Sequence, residues 1–190
     1  YPRWLWWPIL QVILRLRPRR SARAYAKIWT AAGSPLRVFS ENLADAVQGE
    51  LNRRAPVPVC VGLGMRYGRP AIAPVIAQMQ RQGVRRLLVL PLYPQYSATS
   101  TGSVIDAVAD ALKALRWPPE LRMINDYHRD SGYLDALAAS VRAHWSAHGR
   151  GQRLLLSFHG IPERYVRLGD PYADQCRATA DGLRQRLGLD

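Results

Sequence analysis

Along residues 57–158, short apolar runs alternate with longer segments in which apolar side chains recur every three or four positions. Val57-Pro58-Val59-Cys60-Val61-Gly62-Leu63, Leu87-Leu88-Val89-Leu90, Leu121-Arg122-Met123-Ile124 and Leu154-Leu155-Leu156-Ser157-Phe158 have the length and composition of strands. The last, with three leucines and a phenylalanine in five positions, reads as a strand buried on both faces. Between these runs, Ile72, Val75, Ile76 and Met79 predict a helix ending before Gly83, and Val104, Ile105, Val108 and Leu112 predict another, capped by Ser103. Leu134, Leu137, Ala138, Val141 and Trp145 predict a longer helix that stops at Gly149. Upstream, a Gly33-Ser34-Pro35-Leu36 turn leads to a helix capped by Ser40, with Leu43, Val47 and Leu51 on one face. Downstream, Asp170 offers a cap, Pro171 suits the first helical position, and Cys176, Ala180, Leu183 and Leu187 follow at helical spacing.

Strands alternating with helices in this way imply an α/β fold, a parallel sheet flanked by helices. Such sheets bind ligands beyond the carboxyl ends of their strands. The residues expected there are Met65-Arg66-Tyr67, Tyr93-Pro94-Gln95-Tyr96-Ser97, Asp126-Tyr127-His128 and His159. Tyr67, Tyr93 and Tyr96 can offer ring faces, Arg66 can pair a carboxylate, and His159 can accept a proton or bind a metal. Together they describe a pocket for a flat, apolar, anionic molecule. A nucleotide is disfavoured, since no glycine-rich loop follows any of the four runs and Gly62-Leu63-Gly64 lacks the third glycine of the dinucleotide fingerprint.

Composition narrows the class. With 190 residues and 48% hydrophobic content the chain can bury one full core and part of another. The net charge of +13 comes almost wholly from arginine, Lys27 and Lys113 being the two lysines among 27 basic residues. Apart from the cluster Arg15-Leu16-Arg17-Pro18-Arg19-Arg20 with Arg23 and Lys27, the charges are dispersed and no recognition-helix or zinc-finger pattern accompanies them, so nucleic acid is not the expected partner. Cys60 and Cys176 lie far apart, which indicates neither a zinc site nor a disulfide framework and suits a reducing, cytoplasmic setting. The stretch Trp4-Leu5-Trp6-Trp7-Pro8-Ile9-Leu10 is too short for a membrane span and carries a proline; beside the arginine cluster it reads as a hydrophobic lip, open to peripheral contact with a membrane surface. The chain opens on Tyr1-Pro2-Arg3 and ends just after a helix, and is expected to be a piece of a longer protein.

A lone histidine in an apolar context is more often a satisfied core or surface residue than a functional one. Its context here changes that. Ser157-Phe158-His159-Gly160-Ile161-Pro162 followed by Gly169-Asp170-Pro171-Tyr172 resembles the signature of the ferrochelatases, enzymes that insert ferrous iron into protoporphyrin IX. The loop Tyr93-Pro94-Gln95-Tyr96-Ser97 with Thr101-Gly102-Ser103, the pair Arg66-Tyr67 and the Gly33-Ser34-Pro35 turn resemble further motifs of that family, in the family's order.

The resemblance implies a Rossmann-like chelatase domain over 1–150, lacking its N-terminal strand and including a linking helix, and the start of a second, similar domain over 151–190. It implies the last step of haem synthesis, with His159 as proton acceptor or iron ligand, and with Tyr25, Ser34, Arg66, Tyr67, Tyr93, Tyr96 and Ser97 against the porphyrin. Arg17 and its neighbours, with Arg66, would meet the propionates. The partners are then protoporphyrin IX and ferrous iron as substrates. No bound cofactor is implied for this chain, and an iron–sulfur cluster is left undecided. The family's glutamate partner to the histidine would lie beyond Asp190; of the nearby carboxylates, Asp170 reads as a helix cap and Glu163 as solvent-facing. Two alternatives stand beside this reading: a related chelatase acting on another metal or tetrapyrrole, and a non-catalytic tetrapyrrole- or nucleic-acid-binding module.

Overall fold

A computed structural model of the chain describes residues 25–189. Arg17 and the tryptophan-rich stretch, to which the propionate and membrane expectations attach, lie outside the described residues. The chain divides into two compact units, Tyr1–Leu63 and Gly64–Asp190.

The described part of the first unit is dominated by α1 (Pro35–Arg54). Its cap is Ser34 and not, as expected, Ser40: the Ser34 hydroxyl accepts from Arg37 N–H at 3.3 Å, and Pro35 fills the first turn, where its missing N–H costs nothing. Ser40 lies inside the helix, where its hydroxyl donates to Leu36 O. Residues 57–63 form no strand among the described residues; they are tied to α1 by Gln48, whose side chain donates to Val59 O and accepts from Val61 N–H, both at 2.8 Å.

In the second unit α2 (Ile72–Arg81), β1 (Arg86–Val89), α3 (Ser103–Lys113) and β2 (Glu120–Met123) follow one another, and β1 pairs with β2 in parallel, Arg86 opposite Glu120 and Val89 opposite Met123. The two helices flank this small parallel sheet. Ile76, Leu87, Val104, Val108 and Ala111 form the buried cluster that holds them to it. Burial follows the strand's period of two: Leu87 faces the cluster while Leu88 is 62% exposed. Then come α4 (Ser131–His148), α5 (Glu163–Arg167) and α6 (Tyr172–Leu187). Ala138 of α4 and Leu183 and Leu187 of α6 make a second buried cluster. The approach is close at Gly182, where an added Cβ would sit 2.8 Å from Leu134 Cδ1.

The largest departure from expectation is at residues 154–158. They form no strand among the described residues, and instead of burial on both faces Leu155 is 90% exposed. Only Leu154 packs, against the α4–α6 cluster. A strand is defined by ladder bonds to a neighbour, and neither this run nor 57–63 is a strand among the described residues.

Candidate functional site

The loops that leave the carboxyl ends of β1 and β2 stay together. Ile124 N–H donates to Val89 O at 3.0 Å and Tyr127 N–H to Pro94 O at 2.9 Å, which extends the parallel pairing beyond the strands themselves. The first loop then enters a π-turn, Ala98–Gly102, closed by Gly102 N–H donating to Ser97 O at 3.0 Å. Ser97 caps this turn by accepting from Thr99 N–H, and Gly102 leaves room for the Tyr96 hydroxyl, which would lie 3.3 Å from a Cβ there. The expected capping of α3 by Ser103 is thereby displaced: the π-turn runs directly into α3. Ser103 meets Arg66 instead, whose Nε donates to Ser103 O at 2.8 Å and to its Oγ at 2.6 Å.

Helix α6 closes the other side of these loops. Ser97 Oγ and Ala98 N–H both donate to Asp170 Oδ2 at 2.9 Å, Tyr96 N–H donates to Gln175 Oε1 at 2.6 Å, and Gln95 Nε2 donates to Thr179 Oγ1 at 2.9 Å. Thr179 in turn donates to His128 O at 3.2 Å, and so bridges both loops. Near the start of the same helix the Tyr172 hydroxyl accepts from His159 N–H at 3.1 Å. His159 itself is exposed, at the end of the unpaired run and not of a strand.

Of the residues expected to bind a ligand, Tyr93, Tyr96, Ser97 and His159 are therefore carried by segments bonded to one helix. Arg66 joins them through Ser103 and the π-turn; its guanidinium also stacks over the Tyr67 ring, 4.7 Å from the centroid, with Tyr67 largely exposed. Ser34 is the α1 cap and Tyr25 is an exposed residue of a short turn; both belong to the other unit. A shallow groove of about 600 Å³ runs between α2 and α3, past Arg66, Ala77, Ala107 and Leu115, and none of the loop tyrosines lines it.

Three tyrosines and a cysteine around α6 hold their protons more tightly than they would in water. Burial pushes the Tyr127 phenol up to about 12, and charge repulsion from the neighbouring Tyr133 phenol, whose ring stands edge-to-face at 5.3 Å, adds to the shift. Burial also raises Tyr133 and Tyr172. It raises the Cys176 thiol too, against the opposing pull of Tyr172 and Arg177, so Cys176 is a core thiol and not a thiolate ligand. His128 Nδ1 lies 2.7 Å from Asp126 Oδ1, a pair that fixes the ring. Among the described residues no three His, Cys, Asp or Glu side chains cluster for a metal ion. Glu163 faces solvent as expected and pairs with Arg167 at 2.8 Å.

A family model described as ferrochelatase matches residues 1–190. The chain belongs to the ferrochelatase family. It is 54% identical over 189 residues to the ferrochelatase of Thioalkalivibrio sulfidiphilus, covering 99% of this chain and 51% of that protein. The ferrochelatase of Nitrosococcus oceani is 52% identical over 189 residues, again 99% of this chain and 51% of the relative. That of Teredinibacter turnerae is 50% identical over 190 residues, all of this chain and 52% of the relative. The chain thus spans about half the length of the curated ferrochelatases it matches.

The motifs mark the loop residues but not the polar face of α6 that holds them. Asp170 was expected only as a cap; Gln95, Gln175 and Thr179 were not expected to act at all. The available signal was Gln95, an amide flanked by tyrosines in an otherwise apolar passage, which must find a partner once buried.

Proposed function

We propose that this chain supplies the porphyrin-facing loops and the metal-handling histidine of an enzyme that inserts ferrous iron into protoporphyrin IX, a lyase forming protohaem. The observation that carries the reading is the hydrogen-bonded set that joins Tyr96, Ser97 and His159 to the start of α6, in a chain of this family. Tyr93 and Tyr96 offer ring faces to a macrocycle, with Ser97 and Arg66 as polar contacts at its edge. Ser34 and Tyr25 of the first unit, and Arg17, complete the proposed contacts. The imidazole of His159 takes a pyrrole proton or hands over the iron, which on this reading is substrate and not a resident cofactor.

Residues 151–190 open a second chelatase domain on the same reading. Among the described residues no helix is long and apolar enough to cross a membrane; a cytoplasmic location, with the tryptophan-rich stretch touching a membrane surface, is the proposed setting. The test is anaerobic haem formation by the natural protein that carries this chain. His159→Ala is expected to lower the rate at least about a hundredfold while porphyrin still binds, since a positioned base contributes about 10² to 10⁴. A variant with near-normal turnover would remove His159 from the mechanism.

A further inference from the structure

Helix α6 begins with more polar bonds across the chain than a helix start requires. A cap has to satisfy an amide or two of its own helix, and Asp170 Oδ1 does so by accepting from Tyr172 N–H at 3.1 Å. Its other oxygen is committed elsewhere, to Ser97 Oγ and Ala98 N–H, more than seventy positions away in sequence. Asp170 forms no ion pair among the described residues, so these three donors are what offset its charge. Farther along the helix, Gln175 and Thr179 extend the grip to Tyr96 and Gln95. On the other side the Tyr172 hydroxyl holds the His159 main chain. One carboxylate therefore joins the loop that carries Ser97 to the residue that anchors His159.

We propose that Asp170 is a positioning residue for metal insertion: it touches neither porphyrin nor iron, and it fixes Ser97 and His159 relative to each other through Tyr172. The proposal rests on the chelatase reading given above, because its kinetic readout is haem formation. The experiment uses the natural protein, with kcat and KM for protoporphyrin IX under anaerobic ferrous iron, thermal melting, and amide hydrogen exchange. Asp170→Ala is expected to lower kcat/KM at least about tenfold, the loss of charge-assisted hydrogen bonds. Ser97→Ala is expected to lose less, and the double variant to stay within about threefold of Asp170→Ala, because both substitutions cut the same link. Unchanged kinetics in Asp170→Ala, or losses that simply multiply in the double variant, would overturn the proposal. Should Asp170→Ala fail to fold, Tyr172→Phe decides: it removes the hydroxyl that accepts from His159 N–H and also meets the Cys176 thiol, and it is expected to lower kcat several-fold, on the order of one lost hydrogen bond, with KM held. An unchanged kcat there would sink the idea. If the natural protein forms no haem, the functional reading fails on its own, and hydrogen exchange judges the positioning role: Asp170→Ala, or Tyr172→Phe in its place, must speed exchange at His159, and unchanged protection rules the role out.

Discussion

Residues 86–89 and 154–158 are nearly interchangeable as sequence, each a short run of leucine with one other large apolar residue, and they end in opposite states. The first is a strand with Leu87 buried in a cluster from two helices; the second forms no strand among the described residues and has Leu155 open to solvent. The difference lies in the neighbours. β1 has β2 beside it and α2 and α3 against it, so one edge of its backbone is laddered and one face is covered. Residues 154–158 have Leu154 against the α4–α6 cluster and no ladder among the described residues. Hydrophobicity states that a segment is worth burying, and the rest of the fold determines whether it is.

The largest expected effect that tests this contrast is a pair of truncations. Leu87→Ala should destabilise the chain by about 2–4 kcal/mol through lost burial and a cavity, whereas Leu155→Ala should stay within about 0.5 kcal/mol. Urea unfolding of residues 1–190 measures both, and equal losses would mean that 154–158 is packed after all. A smaller effect comes from Gly182→Ala, which drives a methyl into Leu134, a side chain with little room to yield. Overpacking should outweigh the helix-propensity gain and cost about 1 kcal/mol. Hydrogen exchange should then rise at Leu154, whose packing rests on α4 and α6, and stay unchanged in β1.

The smallest effect is one of pH. Tyr127 is protonated more tightly in the folded chain than in the unfolded one, so its contribution is fully present below pH 10 and is lost as pH rises toward about 12. Its amide is bonded to the loop after β1, so alkaline softening should begin on that side, and Tyr127→Phe should flatten the fall in melting temperature between pH 10 and 12. A slope that persists in the variant would assign it to other groups.

The helices were legible because their signal is local. Ile72, Val75, Ile76 and Met79, or Cys176, Leu183 and Leu187, state a face by spacing alone, and the structure has those helices. Caps were less legible: Ser34 and Ser40 both precede apolar residues, and Pro35 at the first turn was the cue that distinguishes them. Two of the four expected strands are not strands among the described residues, since pairing is a property of two segments and cannot be read from one. The site divides along the same line. Tyr93, Tyr96, Ser97 and His159 stand out as residue types near glycine and proline, whereas Asp170, Gln175 and Thr179 become informative only once α6 lies across the loop.

The π-turn ahead of α3 makes chain length a part of the site. Gly102 N–H reaches back five residues to Ser97 O, where an α-helix would reach back four, so one residue more is stored there than a helical entry would need. Each helical residue advances the chain by roughly a hundred degrees, at 3.6 residues to the turn. Deleting one residue between Ala98 and Gly102 would let α3 start normally and swing Ser97 by about a quarter turn, away from Asp170. The interval from Ser97 to Ser103 thus acts as a ruler, setting the angle between a helix held by Arg66 and a loop held by α6.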